Sequence, residues 1–216
     1  LESGKDVFVA ASVHGQVEDL EALWKRETAA RRAALAECVD DPVRSRAAAR
    51  LVADDFLFRA ADGRSSVIAG FPWFGEWGRD TFISLPGLLL SRGGTSRCRE
   101  ALEGALPFLD AGLMPNIFGV SRADSSYGSA DASLWFARAV RLLEIASGGD
   151  VRATDAFLPA LTEIATAYSN GTRLGIACDE GGLVRAGTPD ANATWMDART
   201  SAGPVTPRDG CAVEIE

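Results

Sequence analysis

Histidine is nearly missing from this chain: His14 is the only one, and it sits in a stretch that reads as extended. A lone histidine leaves no partner for a Ser/His/Asp triad and little for a transition-metal site, so any proton transfer must use carboxylates. Cysteine is sparse as well. Cys38, Cys98, Cys178 and Cys211 stand far apart with no CxxC pair. That spacing excludes a disulfide scaffold or a zinc site and makes a reducing compartment, the cytoplasm, the expected setting. Apolar runs such as residues 88–90 fall far short of the ~20 residues needed to cross a bilayer. Positive charge is in deficit: 22 Lys+Arg against 30 Asp+Glu give a net charge of −8. Neither nucleic acid nor an anionic membrane surface is therefore an expected partner, and a neutral polymer or small molecule fits better.

What is present is a globular composition, since 47% of the 216 residues are hydrophobic and this excludes disorder. The length fits one large domain or a domain plus a fragment. The chain begins at Leu1 without a basic and apolar leader, so no secretory signal is expected and an excerpt from a longer protein is. Residues 5–13 (KDVFVAASV) read as a strand or an extended linker, and residues 1–16 as the exit from an upstream domain. Residues 17–38 are rich in strong helix formers, with Leu20, Leu23 and Trp24 opening an apolar face. After Asp41-Pro42 the pattern resumes as a second helix over 43–58. Helices follow over 80–90 and 96–109, from Asp131 through ASLWFARAVRLLEIA, and over 150–168, where Pro159 kinks the helix or delays its start. A hairpin is expected through residues 180–182. Six helices in three hairpins, with alternating short and long connections, suggest an αα-repeat architecture, an open solenoid or a closed toroid. No repeat of fixed length is visible, which favours the irregular toroid.

The candidate chemistry lies in the loops. VIAGFPWFGEWGRD gathers Trp73, Glu76, Trp77, Arg79 and Asp80. Flat aromatic faces stack a sugar ring, while an arginine fork and a carboxylate hold its hydroxyls. The competing reading is a buried tryptophan, with Asp80 as helix N-cap and Arg79 as its ion-pair partner. YGSADASLWF places Asp131 and Trp135 one turn apart on one face, although Ser129 or Asp131 could equally cap the helix. GTPDANATWMD carries Asp190, Trp195 and Asp197; solvated acidic side chains are the alternative there. A carboxyl beside the Trp195-Met196 pair would be raised by desolvation, as a general acid near neutral pH requires. The tail TPRDGCAVEIE adds Arg208, Asp209, Glu214 and Glu216, or simply a charge-mixed turn. In a toroid these loops converge on one rim, round a pocket of the type glycoside hydrolases use.

In order along the chain, FPWFGEWGRDTFISLPGLLL, GLMPNIFG, YGSADASLWF, RAGTPDANATWMDA and PVTPRDGCAVEIE resemble the motifs of the amylo-α-1,6-glucosidase domain of glycogen debranching enzymes. The resemblance runs from about residue 66 to 216. It implies an all-α, glucoamylase-like (α/α)6 toroid, of which residues 17–216 are the N-terminal half. It also implies inverting hydrolysis of α-1,6-linked glucose at the branch points of a glycogen limit dextrin, with no metal or cofactor. Arg79 and Asp80 match a motif that, by analogy, grips the terminal glucose, and Trp77 borders that subsite. Asp197 matches the general acid, with Asp80 as the rival position. The family's Tyr-Asn-Ser is here Tyr127-Gly128-Ser129, which removes one side-chain amide from the pocket. The general base is expected beyond Glu216, in the downstream half of the toroid, so the 216 residues alone are expected to be inactive. A non-catalytic α-glucan-binding module and an αα-repeat interaction protein whose tryptophans are only core are the alternatives.

Overall fold

The computed structural model describes residues 19–36 and 44–215; the extended reading of residues 5–13, His14 and Cys38 lie outside them. The chain divides into two compact units, Leu1–Asp55 and Phe56–Glu216. In the first, α1 (Leu20–Ala36) and α2 (Arg44–Asp55) are the two expected helices. Asp19 starts α1 by accepting the Ala22 N–H on its carboxylate at 2.8 Å, satisfying one of the orphan donors of the first turn. Arg31 ties α1 to the end of α2 with a two-pronged pair to Asp55 at 2.7 and 3.2 Å.

The second unit opens with a hairpin absent from the sequence expectation: β1 (Leu57–Arg59) pairs antiparallel with β2 (Ser65–Val67), Leu57 opposite Val67. The second helix therefore stops at Asp55 instead of running to residue 58. Then come α3 (Gly78–Leu88), α4 (Thr95–Ala105), α5 (Asp131–Ala146) and α6 (Leu158–Asn170). Pro86 cannot donate to the Phe82 carbonyl, and α3 ends two residues later. The last residues expected in the fourth helix tighten into a 3₁₀ turn, Leu106–Phe108. Pro159 delays the sixth helix: two 3₁₀ turns over 151–157 precede it, and the proline occupies the first turn, where its missing N–H costs nothing.

The core lies between α3 and α5, flanked by α4 and α6, and is built on an aromatic chain. Phe82 meets Phe136 edge-on at 5.2 Å, and Phe136 meets Phe157 at 6.0 Å. All three are fully buried, each contributing roughly 1.5–3 kcal/mol. The expected hairpin at residues 180–182 is present: β3 (Ala177–Cys178) pairs with β4 (Val184–Ala186), and β7 (Gly210–Cys211) adds to the other edge of β4. A two-residue ladder, β5 (Arg199–Thr200) with β6 (Gly203–Pro204), completes the strands. The described residues are thus mainly helical, with three small sheets. Among them, no helix is long and apolar enough to cross a membrane.

Candidate functional site

The GRD sequence forms the first turn of α3. The helix begins two residues earlier than expected, so its N-cap is Trp77, in extended conformation and with no side-chain bond, rather than Asp80. Glycine is needed at 78 because a Cβ there would stand 2.0 Å from the Pro115 carbonyl oxygen. The same close approach lets the Gly78 N–H donate to the Asn116 carbonyl at 3.0 Å. Arg79 does not pair with its neighbour Asp80. Its Nε and Nη2 both donate to Asp131, Nη2 at 3.0 Å, and the two side chains are only 11% and 5% exposed. Asp131 is the first residue of α5, where a negative charge is favoured by the helix dipole. Neither Ser129 nor Asp131 caps that helix through its side chain.

Asp80 keeps no ion-pair partner among the described residues. Burial pushes its carboxyl above the ordinary range, its own backbone N–H and the Arg79 charge oppose this, and the Asp131 charge reinforces it. Its side chain opens onto a hollow of about 420 Å³ lined by Ala69, Phe74, Trp77, Arg79, Asp80, Trp195 and Asp197. That is within the size range of small-ligand pockets, about 300–1,000 Å³. Phe74 meets Trp77 edge-on at 5.9 Å, so this wall is aromatic. The facing contribution, Trp195 and Asp197, is exposed, Trp195 at 55%. The Trp195-Met196 pair therefore does not enclose Asp197, and the desolvated carboxyl of the hollow is Asp80.

The hollow gathers Trp77, Arg79, Asp80, Trp195 and Asp197 from the residues singled out in the sequence. Asp131 stands behind it, gripping Arg79. Glu76 is turned away, on Arg64 at 3.0 Å; that guanidinium also pairs with Asp62 at 2.6 Å and lies 4.4 Å from the Phe108 ring centroid. Trp73 is 84% exposed and does not line the hollow. Asp190 lies exposed in the turn closed by the Thr188 and Ala191 backbone bonds, and Asp209 is exposed. Arg208 and Glu214 pair with each other at 3.1 Å. Desolvation raises the Glu214 carboxyl, but its own backbone N–H, the Thr194 hydroxyl and Arg208 outweigh it and hold it below the usual range. The sequence reading passed over Asn192, whose side-chain amide bonds three separate backbone groups. Its ANAT setting carries no local signal beyond turn propensity.

An acidic hollow with aromatic walls, in a mainly helical domain, is the kind of site that receives a sugar ring. The family model described as amylo-alpha-1,6-glucosidase matches residues 51–216, most of the chain, and the chain belongs to that family. It is similar to the glycogen debranching enzyme of Saccharomyces cerevisiae (strain ATCC 204508 / S288c), 26% identical over 209 aligned positions, with 69% of this chain and 14% of the relative covered. The chain thus spans a small part of that relative's length. No solved structure matches it significantly.

Proposed function

We propose that the chain supplies the acid side of an α-1,6-glucosidase site acting on branch points of an α-glucan such as glycogen limit dextrin. The observation that carries the reading is the hollow itself: in a member of the amylo-α-1,6-glucosidase family, it joins Trp77, Arg79 and Asp80 to Trp195 and Asp197 across the chain. Trp77 and Trp195 offer faces to the sugar ring, and Asp80 accepts hydroxyl hydrogen bonds. Asp197, given the acid role by its place in the TWMDA motif and not by burial, donates a proton to O6 of the leaving chain as the C1–O6 bond breaks; bound glucan would supply the desolvation that the exposed side chain lacks. A water adds to C1 from the opposite face and gives its proton to a second carboxylate, restoring the balance of charge. That base belongs, in this reading, to the remainder of a longer protein whose twelve-helix (α/α)6 toroid these helices begin, with residues 1–16 as the link to a preceding domain. Cys98 and Cys178 are free thiols, and a cytoplasmic setting is part of this reading.

The test is glucose release from a limit dextrin by the full-length protein and its Asp197→Asn variant. A fall in kcat on the order of 10²–10⁴ with binding retained supports the assignment. Wild-type turnover by the variant moves the role to Asp80, and an inactive full-length protein that still binds glucan replaces the enzyme with a binding module.

A further inference from the structure

We infer that Asn192 is a positioning residue for Asp197: its amide fixes the backbone that carries this carboxylate into the hollow. The inference rests on the glucosidase reading above. Asn192 Nδ2 donates to the Met196 carbonyl and, at 2.6 Å, to the Thr206 carbonyl, while Oδ1 accepts the Arg208 N–H at 3.0 Å. Two carbonyls on one side and an N–H on the other decide which way the amide points. From the opposite end, the buried Thr194 hydroxyl accepts the Met196 N–H at 3.1 Å. Both peptide groups of Met196 are therefore held, and Asp197 is the next residue. The same loop is anchored to the facing wall: the Ala130 N–H donates to the Ala193 carbonyl at 2.8 Å, one residue before the Asp131 that grips Arg79.

This arrangement gives Arg208 and Glu214 a different task from sugar contact. Their ion pair closes the network under the Trp195–Asp197 turn, with Glu214 on the Thr194 hydroxyl and the Arg208 backbone on Asn192. Only an amide serves at 192. An aspartate would keep the acceptor for Arg208 but turn a carboxylate oxygen toward two carbonyl oxygens.

The experiment compares the full-length wild type with Asn192→Ala and Asn192→Asp on two substrates. Cleaving the C1–O6 bond of a limit dextrin requires a proton on O6, whereas α-D-glucosyl fluoride loses fluoride, which needs far less help from an acid. Misplacing the donor should lower kcat on the dextrin on the order of 10²-fold, with KM and fluoride turnover within about threefold of wild type. Thr194→Val, which keeps the shape and removes the hydroxyl, should give the same split and carries the test if an Asn192 variant does not fold. Equal losses on both substrates, or none, overturn the positioning role while leaving the glucosidase reading intact. A wild type that cleaves neither substrate overturns the glucosidase reading itself.

Discussion

Arg79 and Asp131, 52 positions apart, join the first turns of α3 and α5 through a two-pronged, nearly buried ion pair. The pair occupies one edge of the Arg79 guanidinium and leaves Asp80 as the unpaired carboxyl of the hollow. Removing one partner strands a charge. Asp131→Asn should therefore cost about 3–5 kcal/mol of stability, and Arg79→Met in the same background should recover part of the loss. Urea denaturation of the single and double variants measures the coupling; additive losses would mean that the two charges do not depend on each other.

Gly78→Ala should be destabilising although its chemistry is minimal. The added Cβ would meet the Pro115 carbonyl oxygen at 2.0 Å, so the start of α3 or the 115–117 segment must move. Overpacking of this kind costs about 1–3 kcal/mol, and the shift displaces Arg79 and Asp80 with it. A lowered midpoint in denaturant, accompanied by weaker glucan binding, is the expected result; an unchanged midpoint would contradict the close approach.

Asp80 gives a pH signature. Because burial raises its folded carboxyl above the unfolded value of 3.8, the native state holds the proton more tightly than the unfolded chain. Its contribution to stability is thus fully present below 3.8 and is lost as pH rises through the folded value. Asp80→Asn, always neutral, should accordingly raise Tm at pH 7, and its advantage should shrink toward pH 3.8 while sugar binding weakens. Scanning calorimetry across that range checks the sign, and a variant less stable at neutral pH would reverse the assignment.

Tyr168 donates to the Ala130 carbonyl at 2.5 Å from a buried position in α6, beside the start of α5. Burial pushes its phenol up to about 12, so it stays a neutral donor at any working pH. Tyr168→Phe should cost about 1 kcal/mol. Thermal melting of the variant should register the loss with no change in helical content by circular dichroism.

Local pattern made α5 readable almost to the residue. An unbroken run of helix formers leaves little choice of element, although the face it buries, Phe136, Ala139, Val140 and Leu143, lies to one side of the stripe through Trp135, Leu142 and Ala146 that the spacing suggests. The GRD and TWMD segments stood out because aromatic and acidic residues crowd into loops that a core would not need, and the structure brings both to one hollow. Partner choice was not legible. Whether Arg79 meets Asp80 or Asp131, and whether Glu76 faces the hollow or Arg64, depends on which turns the fold brings together. The β1–β2 hairpin escaped for a different reason: its three-residue strands follow a helical pattern that carries on through Phe56. Asn192 escaped because its three partners are backbone groups, which leave no trace in side-chain spacing.

Asp80 and Trp195 lie more than a hundred positions apart, yet both line one hollow. The bond from the Ala130 N–H to the Ala193 carbonyl ties the start of α5 to the Trp195 loop and closes a long loop that contains α5, α6 and the β3–β4 hairpin. The entropy of that closure is offset in the folded unit by burial of the aromatic core of Phe82, Phe136 and Phe157. As the chain leaves the ribosome, α3 can form early, but the cavity has no second wall until residue 197 has emerged. A ligand that touches both walls of the hollow therefore requires a chain made past residue 197.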